Sequence, residues 1–171
     1  LLVHAPAKTD YFQSPDRLHA SDKAPFLWLP VSGDFVAQVR VRPVFSTTYD
    51  AGALMVRHDE RHWAKVCYEY TDFETHAVVS VVTDGVSDDA NGPDLQGEAV
   101  WLQIARLGDL FGMHYALDGS DWHMVRYFRL DLPDEVQAGL VAQAPVGPGT
   151  IVAFDQFDIE SRSVENLRAG R

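Results

Sequence analysis

The stretch Phe35-Val36-Ala37-Gln38-Val39-Arg40-Val41 puts apolar Phe35, Ala37, Val39 and Val41 in one alternate set and Val36, Gln38 and Arg40 in the other. Successive side chains of an extended chain point to opposite faces, so this period of two describes a β-strand with one face on a core. The other face meets solvent or a partner. Working outward, runs rich in Val, Ile, Thr, Tyr, Phe and Trp recur at 35–41, 53–57, 63–70, 77–84, 99–107, 110–117, 122–127, 137–142 and 150–159. Between them, Ser32-Gly33-Asp34, Asp59-Glu60-Arg61, Asp118-Gly119-Ser120-Asp121 and Pro145-Val146-Gly147-Pro148-Gly149 carry turn residues. Asp118-Gly119, flanked by two such runs, is the clearest hairpin, because Asp-Gly tolerates the positive φ of a tight turn. In 63–70, Trp63, Lys65, Cys67 and Glu69 share one face, and Ala64, Val66, Tyr68 and Tyr70 the other. The polar stretch 85–97 reads as the longest loop. The best helical candidate is 163–168, too short to be stable alone. Many short strands and almost no helix predict an all-β antiparallel sandwich or barrel.

The chain of 171 residues suits one domain, 1–171, with 160–171 as a tail. Its 46% apolar content is enough for a core. With 14 Lys+Arg against 25 Asp+Glu, the net charge is −11. That acidity disfavours nucleic acid and anionic membranes, whose binding rests on Lys and Arg. No apolar run approaches the ~20 residues of a membrane span. The single cysteine, Cys67, excludes an intramolecular disulfide framework and a Cys-rich zinc module. The sequence begins at Leu1 without Met, which reads as a trimmed or processed start, and no basic segment leads an apolar one. Localisation is only weakly constrained, with a slight tilt toward the cytoplasm.

Several blocks, in order, resemble a known family. Thr9-Asp10-Tyr11-Phe12 is similar to its "T-D-F-W" start. Tyr49-Asp50-Ala51-Gly52-Ala53-Leu54-Met55 resembles "YDQAGLM", and Trp63-Ala64-Lys65-Val66-Cys67-Tyr68-Glu69 resembles "W-x-K-x-G-x-E". Ser80-Val81-Val82-Thr83, Arg106-Leu107-Gly108-Asp109, Asp118-Gly119-Ser120-Asp121-Trp122 with Arg126, Gly139-Leu140, Ala144-Pro145 and Phe154-Asp155-Gln156-Phe157 continue the pattern. The family is DUF1349. The resemblance implies a concanavalin A-like jelly roll: two antiparallel sheets, one with a concave face. It carries no assigned activity. Departures are Ala51-Gly52-Ala53 for Gln-Ala-Gly, Cys67 for the usual Gly, and Ser87-Asp88-Asp89-Ala90 where relatives have an aromatic.

The face of Trp63, Lys65 and Glu69, with Arg57 from the neighbouring strand, is the first candidate ligand site. It offers an aromatic for stacking and charged groups for hydroxyls or a carboxylate. Its bland counterpart is a cross-strand ion pair on a solvated face. Trp101 and Gln103, opposite Val100, Leu102 and Ile104, are further candidates. Together these predict a non-catalytic β-sandwich that binds carbohydrate, with no cofactor required. The alternatives are a glycoside-directed hydrolase, with Glu69 as the acid to test, and a protein-interaction domain. A retaining glycosidase needs two carboxyls about 5 Å apart. Asp158 and Glu160 share parity, but Asp155 and Asp158 do so only across a bulge. Asp84, Asp88, Asp89, Asn91 and Asp94 supply oxygen ligands suited to structural Ca²⁺, though not at EF-hand spacing. His58 and His62 flank a hairpin turn, a poor zinc geometry. There is no G-x-S-x-G elbow, and Cys67 reads as an inert thiol rather than a partner of His114. Trp122 is expected to pack its hairpin on the sheet, with Trp122→Ala costing ~3 kcal/mol, and Arg106 and Arg126 to hold the turn acids.

Overall fold

The computed structural model describes residues 1–162 and 164–171. Among them the regular elements are all strands: β1 (Leu2–Pro6), β2 (Tyr11–Gln13), β3 (Ala20–Asp22), β4 (Phe26–Ser32), β5 (Phe35–Pro43), β6 (Ala51–Arg57), β7 (His62–Tyr70), β8 (His76–Asp84), β9 (Val86–Asp94), β10 (Val100–Leu107), β11 (Leu110–Ala116), β12 (His123–Arg129), β13 (Glu135–Gln143) and β14 (Gly149–Glu160). Sheet I runs β1-β14-β5-β10-β11-β12 and sheet II runs β4-β13-β6-β7-β8-β9, with every pairing antiparallel. The fold is an all-β antiparallel sandwich. No helix among the described residues is long and apolar enough to cross a membrane.

Each predicted run matches one strand to within two residues at either end. The alternation explains the layering. Phe35, Ala37, Val39 and Val41 of β5 face Ala64, Val66 and Tyr68 of β7 and Leu54 and Val56 of β6 in the main core. The outward set of β7 carries Trp63, Lys65, Cys67 and Glu69. That outer face of sheet II is not bare. The β2–β3 hairpin sits over it, and Tyr11 packs edge-on to Trp63 at 6.2 Å within a second apolar cluster that includes Met55, Cys67, Val79 and Val81. Gln13 N donates to Ser87 Oγ of β9 at 2.9 Å and anchors the hairpin at one end.

Two expectations about irregular segments are corrected. Residues 85–97 do not form a loop: 86–94 are β9, the outer strand of sheet II, paired with β8. Its polar sequence and Pro93 suit an edge, where a strand is solvated and one row of N–H groups has no ladder to complete. Strand alternation and local partners part the acids that read as a Ca²⁺ loop: Asp88 pairs with Arg126 at 2.8 Å, and Asp94 accepts from Thr75 at 2.8 Å. The proposed helix 163–168 falls partly outside the described residues; 164–166 are irregular and 167–170 form a turn. This segment packs on sheet I, where Val164 and Leu167 join Val36 and Ala105 in a small apolar cluster.

The Asp118-Gly119 turn is as expected. Gly119 has φ +80°, and Asp118 Oδ1 accepts the N–H groups of Ser120 and Asp121 at 2.8 and 2.9 Å. Asp118 thus holds its own turn. Arg106 and Arg126 do not: Arg106 donates to the carbonyls of Gly108, Leu132, Pro133 and Asp134, and Arg126 holds β9 through Asp88. Trp122 is only half-buried and joins none of the apolar clusters. The expected ~3 kcal/mol penalty for Trp122→Ala therefore loses its basis, because that figure belongs to fully buried aromatic side chains.

Candidate functional site

The outer face of sheet II opens into a pocket of about 560 Å³. Lys65 and Glu69 of β7, Val81 of β8 and Asp89 of β9 form its floor and one side. Lys8, Asp10, Phe12, His19 and Ser21 come from the N-terminal segment, and Tyr49, Gln143, Pro145 and Val146 close the other side. This size lies within the range of small-molecule sites.

Lys65 is only 2% exposed. Its Nζ donates to Tyr11 O at 2.8 Å, Gln143 Oε1 at 2.7 Å and Asp10 Oδ1 at 3.4 Å. An ammonium has three donors, and here each finds an acceptor in the chain. Burial opposes the charge most strongly, but Asp10, Cys67 and Glu69 together outweigh it and hold the lysine above its ordinary pKa. Lys65 thereby ties the β2 segment and β13 to the centre of sheet II.

Glu69 is different. It is 8% exposed, lines the pocket, and its carboxyl takes no hydrogen bond from the described residues. Burial raises its pKa to about 8, with Asp89, Asp10 and Asp72 adding to the rise and Lys65 opposing it. At neutral pH the group is therefore mainly the neutral acid, able to donate as well as accept.

Tyr49 stands at φ +69° on the pocket wall, its hydroxyl raised in pKa by burial. Asp50 fixes that loop: its buried Oδ2 accepts the N–H groups of Ser46 and Thr47 at 3.0 and 2.9 Å. Tyr49 N donates to Tyr70 O at 2.6 Å, next to the end of the strand that carries Glu69.

Of the residues singled out in the sequence, Lys65 and Glu69 meet in this pocket. Trp63 shares their face but is fully buried in the second apolar cluster, with Nε1 donating to Glu60 O at 3.3 Å, so its ring offers no open stacking surface. Arg57 lies outside the pocket lining and donates from Nη1 to Gln137 Oε1 at 3.0 Å. Trp101 and Gln103 are on sheet I. The Gly119 turn lies against the Trp101 ring. Gln103 is buried between Gln38, His114 and Gly170 under the C-terminal segment. Asp155, Asp158 and Glu160 also lie on sheet I. A bulge after Asp155 does bring Asp155 and Asp158 to one face, opposite Arg40 and Gln38, but they are exposed there and Asp155 pairs with Arg40 at 3.6 Å. Among the described residues no group of three His, Cys, Asp or Glu is placed to hold a metal ion.

The chain matches the family model described as "Protein of unknown function (DUF1349)" over residues 1–162. The chain belongs to the DUF1349 family. This chain is 29% identical over 159 residues to the Saccharomyces cerevisiae protein named "Regulation of enolase protein 1", covering 89% of this chain and 77% of that one. It superposes on a functionally unknown protein from Saccharomyces cerevisiae with a TM-score of 0.89 at 26% identity, covering 94% of this chain and 87% of that one. It shares its fold with the carbohydrate-binding module CBM66 from Bacillus subtilis at a TM-score of 0.55, 19% identity and 78% coverage of each. The DUF1349 blocks at 9–12, 49–55 and 63–69 converge on the pocket and its supporting sheet. The family match ends before the 164–170 segment that packs on sheet I. Cys67 is fully buried in the second apolar cluster, and burial raises its pKa far from reactivity.

Sequence reasoning missed Asp10, Phe12, Tyr49 and Gln143. No spacing links them to Lys65, because the loop after β5 and the ends of β2 and β13 reach the site from distant parts of the chain.

Proposed function

We propose that this chain is a non-catalytic carbohydrate-binding domain whose ligand occupies the pocket around Lys65 and Glu69 on the outer face of sheet II. The observation that carries the reading is Glu69: a nearly buried carboxyl, aimed into a pocket, with no hydrogen-bond partner in the described chain. With no protein partner, this carboxyl at the pocket surface is free to bond a ligand hydroxyl that displaces water from it. Tyr49, Ser21 and Asp89 add polar contacts around it, and Phe12, Val81 and Val146 add apolar surface for a sugar's C–H face. The fold shared with a carbohydrate-binding module is consistent with this use. A thermal-shift screen of mono- and oligosaccharides tests it, since a ligand at ~100-fold excess over Kd stabilises by roughly 2.7 kcal/mol. A shift that Glu69→Gln reduces supports the reading. No shift with any saccharide class overturns it. The same samples given chromogenic glycosides test hydrolysis, and turnover lost in Glu69→Gln would favour an enzyme.

A second reading has its own observation. Strand β4 is an edge of sheet II, and Leu27, Trp28 and Leu29 on it are 55%, 43% and 55% exposed. Together with the name of the yeast relative, this favours an interaction domain acting through another protein. Sedimentation of the chain with and without purified enolase separates the two readings.

A further inference from the structure

We propose that the pocket selects a saccharide carrying a free ammonium group, an amino sugar, which Glu69 and Asp89 hold between them. This rests on the carbohydrate reading and narrows it. The argument is a charge count. Lys65 sits among three carboxyls, those of Asp10, Glu69 and Asp89, each within electrostatic reach of it and of one another. Lys65 has no donor left for a ligand, because Tyr11 O, Gln143 and Asp10 take all three, and Asp10 balances its charge at 3.4 Å. Two carboxyls then remain without a matching base in the pocket. Arg126 forms its close ion pair with Asp88 and acts on Asp89 only at longer range. Lys8 and His19 stand at the solvent-exposed rim, and Asp72 adds further negative potential at Glu69. The free capacity of the site is therefore acceptor-rich, and it becomes more negative when Glu69 gives up its proton.

A cation satisfies that arrangement. A metal ion fits poorly, since the described residues include no trio of ligands placed for one. An organic ammonium needs no tight coordination sphere: it brings its own hydrogen-bond donors to separated acceptors and gains from charge-assisted bonds. The ring faces of Tyr49 and Phe12, which also line the pocket, suit a cation beside a sugar ring. A neutral sugar leaves Glu69 protonated. An ammonium drives it to ionise, and the proton passes to solvent.

The test is calorimetric titration of the full chain with a glucosamine oligosaccharide and with its fully N-acetylated counterpart, at pH 6.5, in two buffers of different ionisation enthalpy. The proposal expects the amino form to bind at least tenfold tighter and to release up to one proton per site, less the fraction its own amine takes up at that pH, and the acetylated form to release none. Affinity for the amino form should rise with pH while the ligand's amine is protonated and level off as that amine itself titrates, a dependence the acetylated form lacks. Glu69→Gln should abolish the proton release and weaken the amino form about tenfold more than it weakens the acetylated form. Asp89→Asn should weaken the amino form and, by removing a negative neighbour that raises the Glu69 pKa, reduce the proton release without abolishing it. Equal affinity for both oligosaccharides, with no proton released, overturns the ammonium proposal and leaves the carbohydrate reading standing. Binding of neither overturns both. Displacement of the oligosaccharide by millimolar Ca²⁺ would show a metal site instead and overturn the proposal.

Discussion

Glu69→Gln should make the protein more stable at pH 7.5 and leave it nearly unchanged at pH 5. The wild-type carboxyl ionises near its ordinary 4.5 when the chain is unfolded and at about 8 when folded. Between those values the folded state keeps a proton that the unfolded chain has released. Stability from this group is therefore complete below pH 4.5 and falls as pH rises toward and through 8. Each pH unit across the window is worth about 1.4 kcal/mol. From pH 5 to 7.5 the wild type should lose about 3 kcal/mol that the glutamine variant keeps. Glutamine has the shape and donor capacity of the neutral acid and cannot ionise, so it isolates the charge from the packing. Urea unfolding at the two pH values measures the difference directly. For a chain of this size the corresponding gap in Tm is roughly 6–12 °C. Stability curves of the two proteins that run parallel from pH 5 to 7.5 would show that Glu69 ionises freely in the folded state, and the description of the pocket would fail.

Other consequences are equally open to measurement. Lys65→Met should cost about 3 kcal/mol and several degrees of Tm, because it strands Asp10, Gln143 and Tyr11 O around an apolar side chain; an unchanged Tm contradicts the buried network. Gly139→Ala should loosen β4, since a Cβ there would lie 2.0 Å from Leu27 O; amide exchange over 26–32 should accelerate, and wild-type protection would refute the close approach. Burial lowers the pKa of His114, whose Nε2 lies 2.8 Å from Leu167 O. The unfolded chain then takes up that proton first, so stability should fall as pH drops through 6.5, and His114→Gln should remove that part of the acid sensitivity. Cys67 should resist iodoacetamide at pH 8 in the folded protein, and rapid alkylation would place it on the surface.

What the sequence revealed and what it hid follow from the same physics. The strand at 35–41 and the Asp118-Gly119 turn were legible because alternation and turn chemistry are local, so the sandwich could be read. Strands β4 and β9 were not. Each is an edge with a proline, Pro30 or Pro93, and edge strands need no alternation when one side is open to water. The pairing of Lys65 with Glu69 was legible from parity along one strand. The fate of Trp63 was not, since the hairpin that buries it is built from β2 and β3, too short to announce themselves. Trp101 and Gln103 have the right parity for a face, but parity cannot say which of two sheets a strand joins. Glu69 acquires its character from Asp10, Asp89 and the enclosing Tyr49 loop, which meet only in the folded chain.

The central claim is that ligand enters the pocket on sheet II. A two-dimensional ¹H–¹⁵N titration of the labelled chain with the oligosaccharide that gives the largest thermal shift tests it most directly. The account predicts perturbed amides around Asp10–Phe12, Tyr49, Lys65–Glu69, Asp89 and Gln143–Val146, with sheet I and β4 unmoved. Perturbations confined to β4, or to Trp101 and Gln103 on sheet I, would place binding elsewhere and contradict it.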